Sequence, residues 1–240
     1  MEEVTNSIVI GGAVEDDADV VILNEAAGTP DLPAGATFLP DGSVRYTLSF
    51  PIAIRTRASV GAAVTNESFS ELVFRRLKGP DMRKIMVAKG RMTIVALTRS
   101  CGLSAARAAV LYDRMDAKDI SAASDVVAIL GGFNEMDGLP THAEVTDEGK
   151  IILPLLHPES GGEFELPEKF VMRRMTGADL IAISQGGAKG AEMTINALAR
   201  TTGITLKDAS DTFDAMDAED IMALQRTVGF LSGNGQKTGR

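Results

Sequence analysis

Tryptophan is absent from the 240-residue chain, histidine occurs twice and cysteine once. A lone Cys101 closes no internal disulfide, so nothing in the sequence requires an oxidising compartment. His142 and His157 have no Ser or Cys placed near them in sequence, which leaves nucleophilic catalysis without visible support. No apolar run approaches the ~20 residues that span a bilayer. The chain opens Met1-Glu2-Glu3, with acids where a secretory signal carries Lys or Arg. What remains is 45% hydrophobic and 24% charged, the balance of a soluble globular protein, expected in the cytosol.

Basic residues are missing altogether from residues 1–41, and the first is Arg45. The same stretch holds nine acids, Glu2 to Asp41, so the net charge of −9 belongs to it, leaving 24 acids against 24 bases in residues 42–240. We read residues 1–39 as an acidic N-terminal arm, either a solubilising leader or a segment that docks on a basic surface. Val20-Val21-Ile22-Leu23 could add one strand, and Gly28, Pro30, Pro33 and Gly35 then break the chain. The net charge of the whole chain disfavours general electrostatic binding to nucleic acid or an anionic membrane. The neutral modules weaken that argument, and the case against nucleic acid rests on the acidic helix and family pattern described below.

The chain contains an internal repeat. Met92-Thr93-Ile94-Val95-Ala96-Leu97-Thr98-Arg99 returns as Met193-Thr194-Ile195-Asn196-Ala197-Leu198-Ala199-Arg200, and residues 92–132 match 193–233 at 18 of 41 positions. Upstream, Arg75-Arg76-Leu77, Gly79 and Asp81 pair with Arg173-Arg174-Met175, Gly177 and Asp179, while Gly42, Leu48 and Pro51 pair with Gly149, Leu155 and Pro158. The second copy is nine residues shorter between its strand-like parts and three longer before its Met-Thr-Ile helix, as loops permit. The predicted organisation is α+β, two repeated modules (40–133 and 145–234), a linker at 134–144 and a flexible tail at 235–240. Each module reads as a β-hairpin or small antiparallel sheet followed by about four short helices.

The punctuation supports that order. Asp41-Gly42 and Glu148-Gly149 are turn signals before strands, the first of which runs to Pro51. Pro80 and Thr176-x-x-Asp179 start helices, and Gly102 and Gly203 stop them. Ser104 and Thr205 cap a third helix. Asp116-x-x-Asp119 and Asp217-x-x-Asp220 read as capping boxes for a fourth, on which Ile221, Leu224, Val228 and Leu231 form one apolar face.

Candidate chemistry is thin. The aspartates of those boxes resemble metal carboxylates, but no His lies near them in sequence and capping explains them better; we expect no metal and no cofactor. Gly186-Gly187-Ala188-Lys189-Gly190 lacks the order of a phosphate loop and reads as a helix-to-helix turn. Leu198 to Thr205 resembles the turn of a helix-turn-helix, yet the following helix sets Lys207 against Asp208, Asp211 and Asp214, which repel phosphate. One basic cluster remains, Arg75, Arg76, Lys78, Arg83, Lys84, Lys89, Arg91 and Arg99 against the single acid Asp81, without the aromatic residues that stack bases. It is either a solvated face or a docking strip for an acidic protein segment. Arg75, Arg76, Lys78, Arg83, Lys84, Arg173 and Arg174 are the expected partner-binding residues.

Leu32-Pro33-Ala34-Gly35, the Asp-Gly turn, the strand to Pro51, Phe74-Arg75-Arg76-Leu77-Lys78-Gly79-Pro80-Asp81 and Met115-Asp116-Ala117-Lys118-Asp119 form a familiar series. It resembles the phage tail assembly chaperone family of Mu-like phages over residues 32–133 and, more loosely, 145–234. Members are usually single modules, so the duplication departs from the pattern. The resemblance implies a non-enzymatic protein of the host cytoplasm, absent from the mature virion. Such a protein binds the tape measure protein to keep it soluble during tail assembly, with tail tube subunits as a second candidate partner. A phage or prophage nucleic-acid-binding regulator using the helix-turn-helix-like pair is the alternative.

Overall fold

The computed structural model describes residues 31–57, 63–88, 92–133 and 138–233. The expected strand at Val20–Leu23, most of the acidic arm, Lys89, Arg91 and the tail at 235–240 lie outside them.

The described residues form an α+β fold, with two three-stranded antiparallel sheets and eight α-helices among them. The first sheet joins β1 (Ala36–Phe38), β2 (Val44–Arg57) and β3 (Val64–Phe74), and α1 (Gly79–Met86), α2 (Met92–Ser100), α3 (Ala105–Arg114) and α4 (Ala117–Leu130) follow it. The second joins β4 (Glu144–Val145), β5 (Ile151–Pro154) and β6 (Lys169–Met172), with α5 (Gly177–Gln185), α6 (Ala191–Thr202), α7 (Leu206–Ala215) and α8 (Ala218–Leu231) after it.

Two boundaries move. The arm expected over 1–39 ends earlier, because Ala36–Phe38 pairs with β2 and Leu32, Ala36 and Phe38 pack on the core. Its acids hid a short edge strand that three apolar contacts hold in place. The linker expected over 134–144 likewise gives up Glu144 to β4 and buries Pro140.

The strand expected to stop at Pro51 instead continues to Arg57. Its register against β3 shifts between Thr47–Glu71 and Ile52–Phe69, so Leu48 to Pro51 bulge out opposite Ser70. A bulge is where proline, which has no N–H for the ladder, sits in a strand. Beyond it Ile52 and Ile54 alternate inward again, both buried. The extra length of the first half is therefore a longer hairpin.

The helices keep the expected punctuation. Ser104 and Thr205 accept from the Arg107 and Asp208 N–H groups at 3.4 and 3.1 Å, and Gly203 closes α6 with φ of 82°. Apolar faces from both halves merge in one core, where Tyr46, Phe74, Leu97 and Leu111 meet the same cluster as Met172, Leu198, Phe213 and Leu224. The two halves thus share one core, and the described residues from Leu32 onward form one compact unit.

Candidate functional site

The arginine pairs stand where a strand hands over to a helix. Arg75 makes a bidentate pair with Asp81 at 2.9 and 3.2 Å and donates to the Arg76 carbonyl at 2.9 Å. Arg173 does the same with Asp179 at 2.8 and 3.1 Å and with the Arg174 carbonyl at 2.8 Å. Each carboxylate also accepts a backbone N–H at its helix start, from Lys78 and from Thr176. The Arg173 guanidinium and the Thr176 N–H hold the Asp179 carboxyl well below the usual carboxylate range. The fork geometry of arginine suits such a clamp, which fixes the angle between strand and helix.

Beyond the clamp, the first half presses its edge into the second. The Gly79 N–H donates to Met216 O at 3.1 Å, and the Ala218 N–H to Leu77 O at 2.8 Å, bridging Lys78 and Asp217 antiparallel. Arg83 reaches Asp214 at 2.6 Å, Glu192 at 2.5 Å and Ser210 at 2.9 Å, with its guanidinium 5.3 Å from the Phe213 ring centroid. The Lys78 ammonium donates to Ser160 O at 2.6 Å. Arg75, Arg76, Lys78, Arg83 and Arg173 of the expected partner strip are therefore engaged within the chain. Lys84 and Arg174 stand exposed. The acids paired with Arg76 and Arg83 come from the other half, over a hundred residues away, where sequence spacing could not place them.

Arg76 occupies the densest polar cluster. It lies 3.4 Å from Asp217, 3.2 Å from Glu219 and 2.9 Å from His157 Nε2, itself 3.0 Å from Glu219. His157, Asp217 and Glu219 come within 4.8 Å of one another, so a histidine does join these acids in space although not in sequence. A divalent cation would need those same lone pairs, and the Arg76 guanidinium already fills that role. Burial raises Asp217 above the usual carboxylate range. Burial works against both His157 and Glu219, but their mutual hydrogen bond moves the imidazole up and the carboxylate down.

The expected capping boxes are half right. Asp116 and Asp217 do cap, accepting from the Lys118 and Glu219 N–H groups at 2.9 and 3.0 Å. The third residue on does something else. Asp119 is fully buried and accepts from Tyr46 OH at 2.7 Å and from Ser49 N–H and Oγ at 3.0 and 2.8 Å. Asp220, also fully buried, accepts from the Leu156 and His157 N–H groups at 2.7 and 3.0 Å. Each aspartate staples its last helix to the strand end or bulge whose amides have left the ladder. Burial favours protonated Asp220 and lifts it to about 6. Asp119 moves down, because Tyr46 and Ser49 outweigh its burial.

No family model, characterised protein or solved structure shows significant similarity to this chain.

The helix-turn-helix-like pair is α6 and α7. One side of α7 is covered by α1, and its outer side carries the Lys207–Asp211 pair at 2.7 Å beside Asp208. In α3 the cations are also engaged, Arg107 with Glu67 and Arg114 with the Ala53 carbonyl. Cys101 is buried enough to push its thiol up to about 12, which removes it as a nucleophile near neutral pH. Among the described residues no single helix is long and apolar enough to cross a membrane.

Sequence reasoning missed an open apolar groove of about 740 Å³ between α5, α6 and α8, lined by Met175, Leu180, Ile181, Met193 and Val228 among others. The signal was present at matched positions. Arg83 of α1 corresponds to Ile181 of α5, which puts isoleucine on a face where the first half keeps a cation.

Proposed function

We propose that the chain is a non-enzymatic phage tail assembly chaperone, made of two copies of one α+β module, that binds the tape measure protein. It acts in the host cytoplasm, keeps that long helical protein soluble while tail tube subunits assemble, and stays out of the mature virion. The shared element order, the paired Arg–Asp clamps and the paired aspartate staples support the two-copy reading.

One observation carries the functional reading. The polar clusters of the described residues close on themselves as ion pairs, while large apolar side chains such as Phe50, Val87 and Leu206 stand exposed. A surface of that kind binds protein. The test is co-expression with the tape measure protein. Its soluble yield should rise and the two should co-purify; no complex and no gain in yield would overturn the reading. The nucleic-acid regulator has no observation in its favour, because the outer face of α7 is acidic and the cations of α3 are engaged.

A further inference from the structure

We propose that the chain associates head to tail with copies of itself, the α5 edge of one chain docking on the end of α3 and the start of α4 of the next. The inference rests on the two-copy reading and names the occupant of the groove beside α5.

The chain already contains this joint once. In the seam, the Leu77–Gly79 edge and α1 of the first copy dock on Phe213–Ala218 of the second. Each copy has both halves of the joint, so one of each is left over. The unused donor is Met175–Gly177 with α5, and the unused acceptor is Tyr112–Ala117.

Exposure follows that division. Met82 is 0% exposed in the seam, while Leu180 at the matching position of α5 is 40% exposed and Ile181 beside it 56%. Asp217 and Ala218 are buried in the seam, while Asp116 and Ala117 lie open. Gly79 has to be glycine, since a Cβ there would sit 2.5 Å from Asp214 Cα. Gly177 meets nothing within 4 Å and does not adopt positive φ. Nothing inside the chain calls for glycine at 177, whereas docking on a second copy would.

The substitutions between the copies agree across the joint. Arg83 faces Ser210 and lies over Phe213. At the free ends these positions hold Ile181, Ala109 and Tyr112, so the cation and the serine both give way to apolar residues, while Asp113 keeps the place of Asp214. Arg174 stands where Arg76 does and would bring its charge to Asp116. Lys118 in place of Glu219 removes one acid from that contact, which makes it weaker than the seam and dependent on concentration. Such a contact is heterologous and propagates into a ring or an open helix.

The experiment is sedimentation velocity of the full chain from micromolar to millimolar concentration, with Gly177→Val blocking the donor and Ala117→Arg blocking the acceptor. Both replaced residues are exposed, and each variant should melt like the parent at low concentration. The parent should grow past a dimer, and each variant alone should stay monomeric. An equimolar mixture of the two should form a dimer and stop there, because only one intact joint remains. Ile181→Asp and Ala109→Asp, each of which puts a repelling carboxylate at the joint, make a second donor and acceptor pair should either first variant unfold. A parent that stays monomeric, variants that assemble like it, or a mixture that fails to pair would each overturn the inference. So would a monomeric parent whose capture of the tape measure protein is abolished by Gly177→Val, which would assign the groove to that partner. Failed capture of the tape measure leaves the sedimentation result unchanged, so the two proposals fail separately.

Discussion

Replacing Gly79 by alanine strikes the seam at its tightest point, and the matched Gly177→Ala supplies the control. A Cβ on Gly79 would stand 2.5 Å from Asp214 Cα and 2.7 Å from the Phe213 carbonyl carbon, and nearer still to the Phe213 oxygen. Carbon atoms need about 3.5–4.0 Å. The opposing atoms are backbone at the end of α7, held by the Met216 N–H on Thr212 O at 3.0 Å, and cannot swing aside. The seam must therefore part by about 1 Å or more. That loosens the Gly79–Met216 and Leu77–Ala218 bonds, each worth about 0.5–1.5 kcal/mol net, and adds overpacking of about 1–3 kcal/mol. A loss of about 3 kcal/mol follows, which lowers Tm by roughly 6–12 °C in a chain of this size. Gly177→Ala meets nothing within 4 Å at the start of α5. It should leave Tm unchanged or raise it by the helix preference of alanine, up to ~1 kcal/mol. Thermal and urea denaturation followed by far-UV circular dichroism at low micromolar protein reads both without interference from association. Equal effects of the two substitutions, or a tolerated Gly79→Ala, would refute the seam geometry.

Asp119→Ala should cost about 3 kcal/mol, since it strands a buried Tyr46 hydroxyl and the Ser49 amide together; urea midpoints give the value, and a loss below ~1 kcal/mol would count against the staple. Asp220 is raised to about 6, so the folded chain holds a proton there that an unfolded aspartate near ~4 has released. Its contribution to stability is complete below about pH 4 and is lost as pH rises through about 6. Asp220→Asn should remove that fall, measured as the difference in urea stability between parent and variant. The neighbouring Asp217, Glu219, His157 and Arg76 are present in both proteins, so an identical pH slope would contradict the assignment.

Local chemistry in the sequence went far toward the fold. Turn glycines, helix caps and the apolar face of α8 depend on residues within a few positions of one another, and the structure places them as spacing predicts. Where the reading failed, a distant partner decided. Pro51 looked like a strand end because proline lacks an amide, but Ile52 and Ile54 carry the strand on past a bulge whose freed Ser49 amide goes to Asp119. Asp119 looked like the second half of a capping box because its spacing fits one. A hydroxyl 73 residues away drew it into the core instead. The basic strip looked like a docking surface because its neutralising acids, Asp214, Glu192, Asp217 and Glu219, lie in the other half. The repeat was the exception. It was a long-range signal visible in sequence, and the change from Arg83 to Ile181 within it marked the groove.

Head-to-tail assembly would alter how the chain holds a long partner. If the partner is the tape measure protein proposed above and offers repeated sites along its length, copies joined to one another engage the second site at an effective concentration near millimolar. Overall binding should then exceed that of one copy by ~10²-fold or more without any new contact. The Gly177→Val chain separates the two contributions. It should bind a short tape measure fragment as the parent does, because a single site gains nothing from linkage. On the full-length tape measure its affinity should fall toward the single-site value, seen as faster dissociation from the immobilised protein. Equal loss on fragment and full length would place residue 177 in the tape measure contact itself. No loss on either would mean that copies act singly and that the joint between them does not contribute to capture.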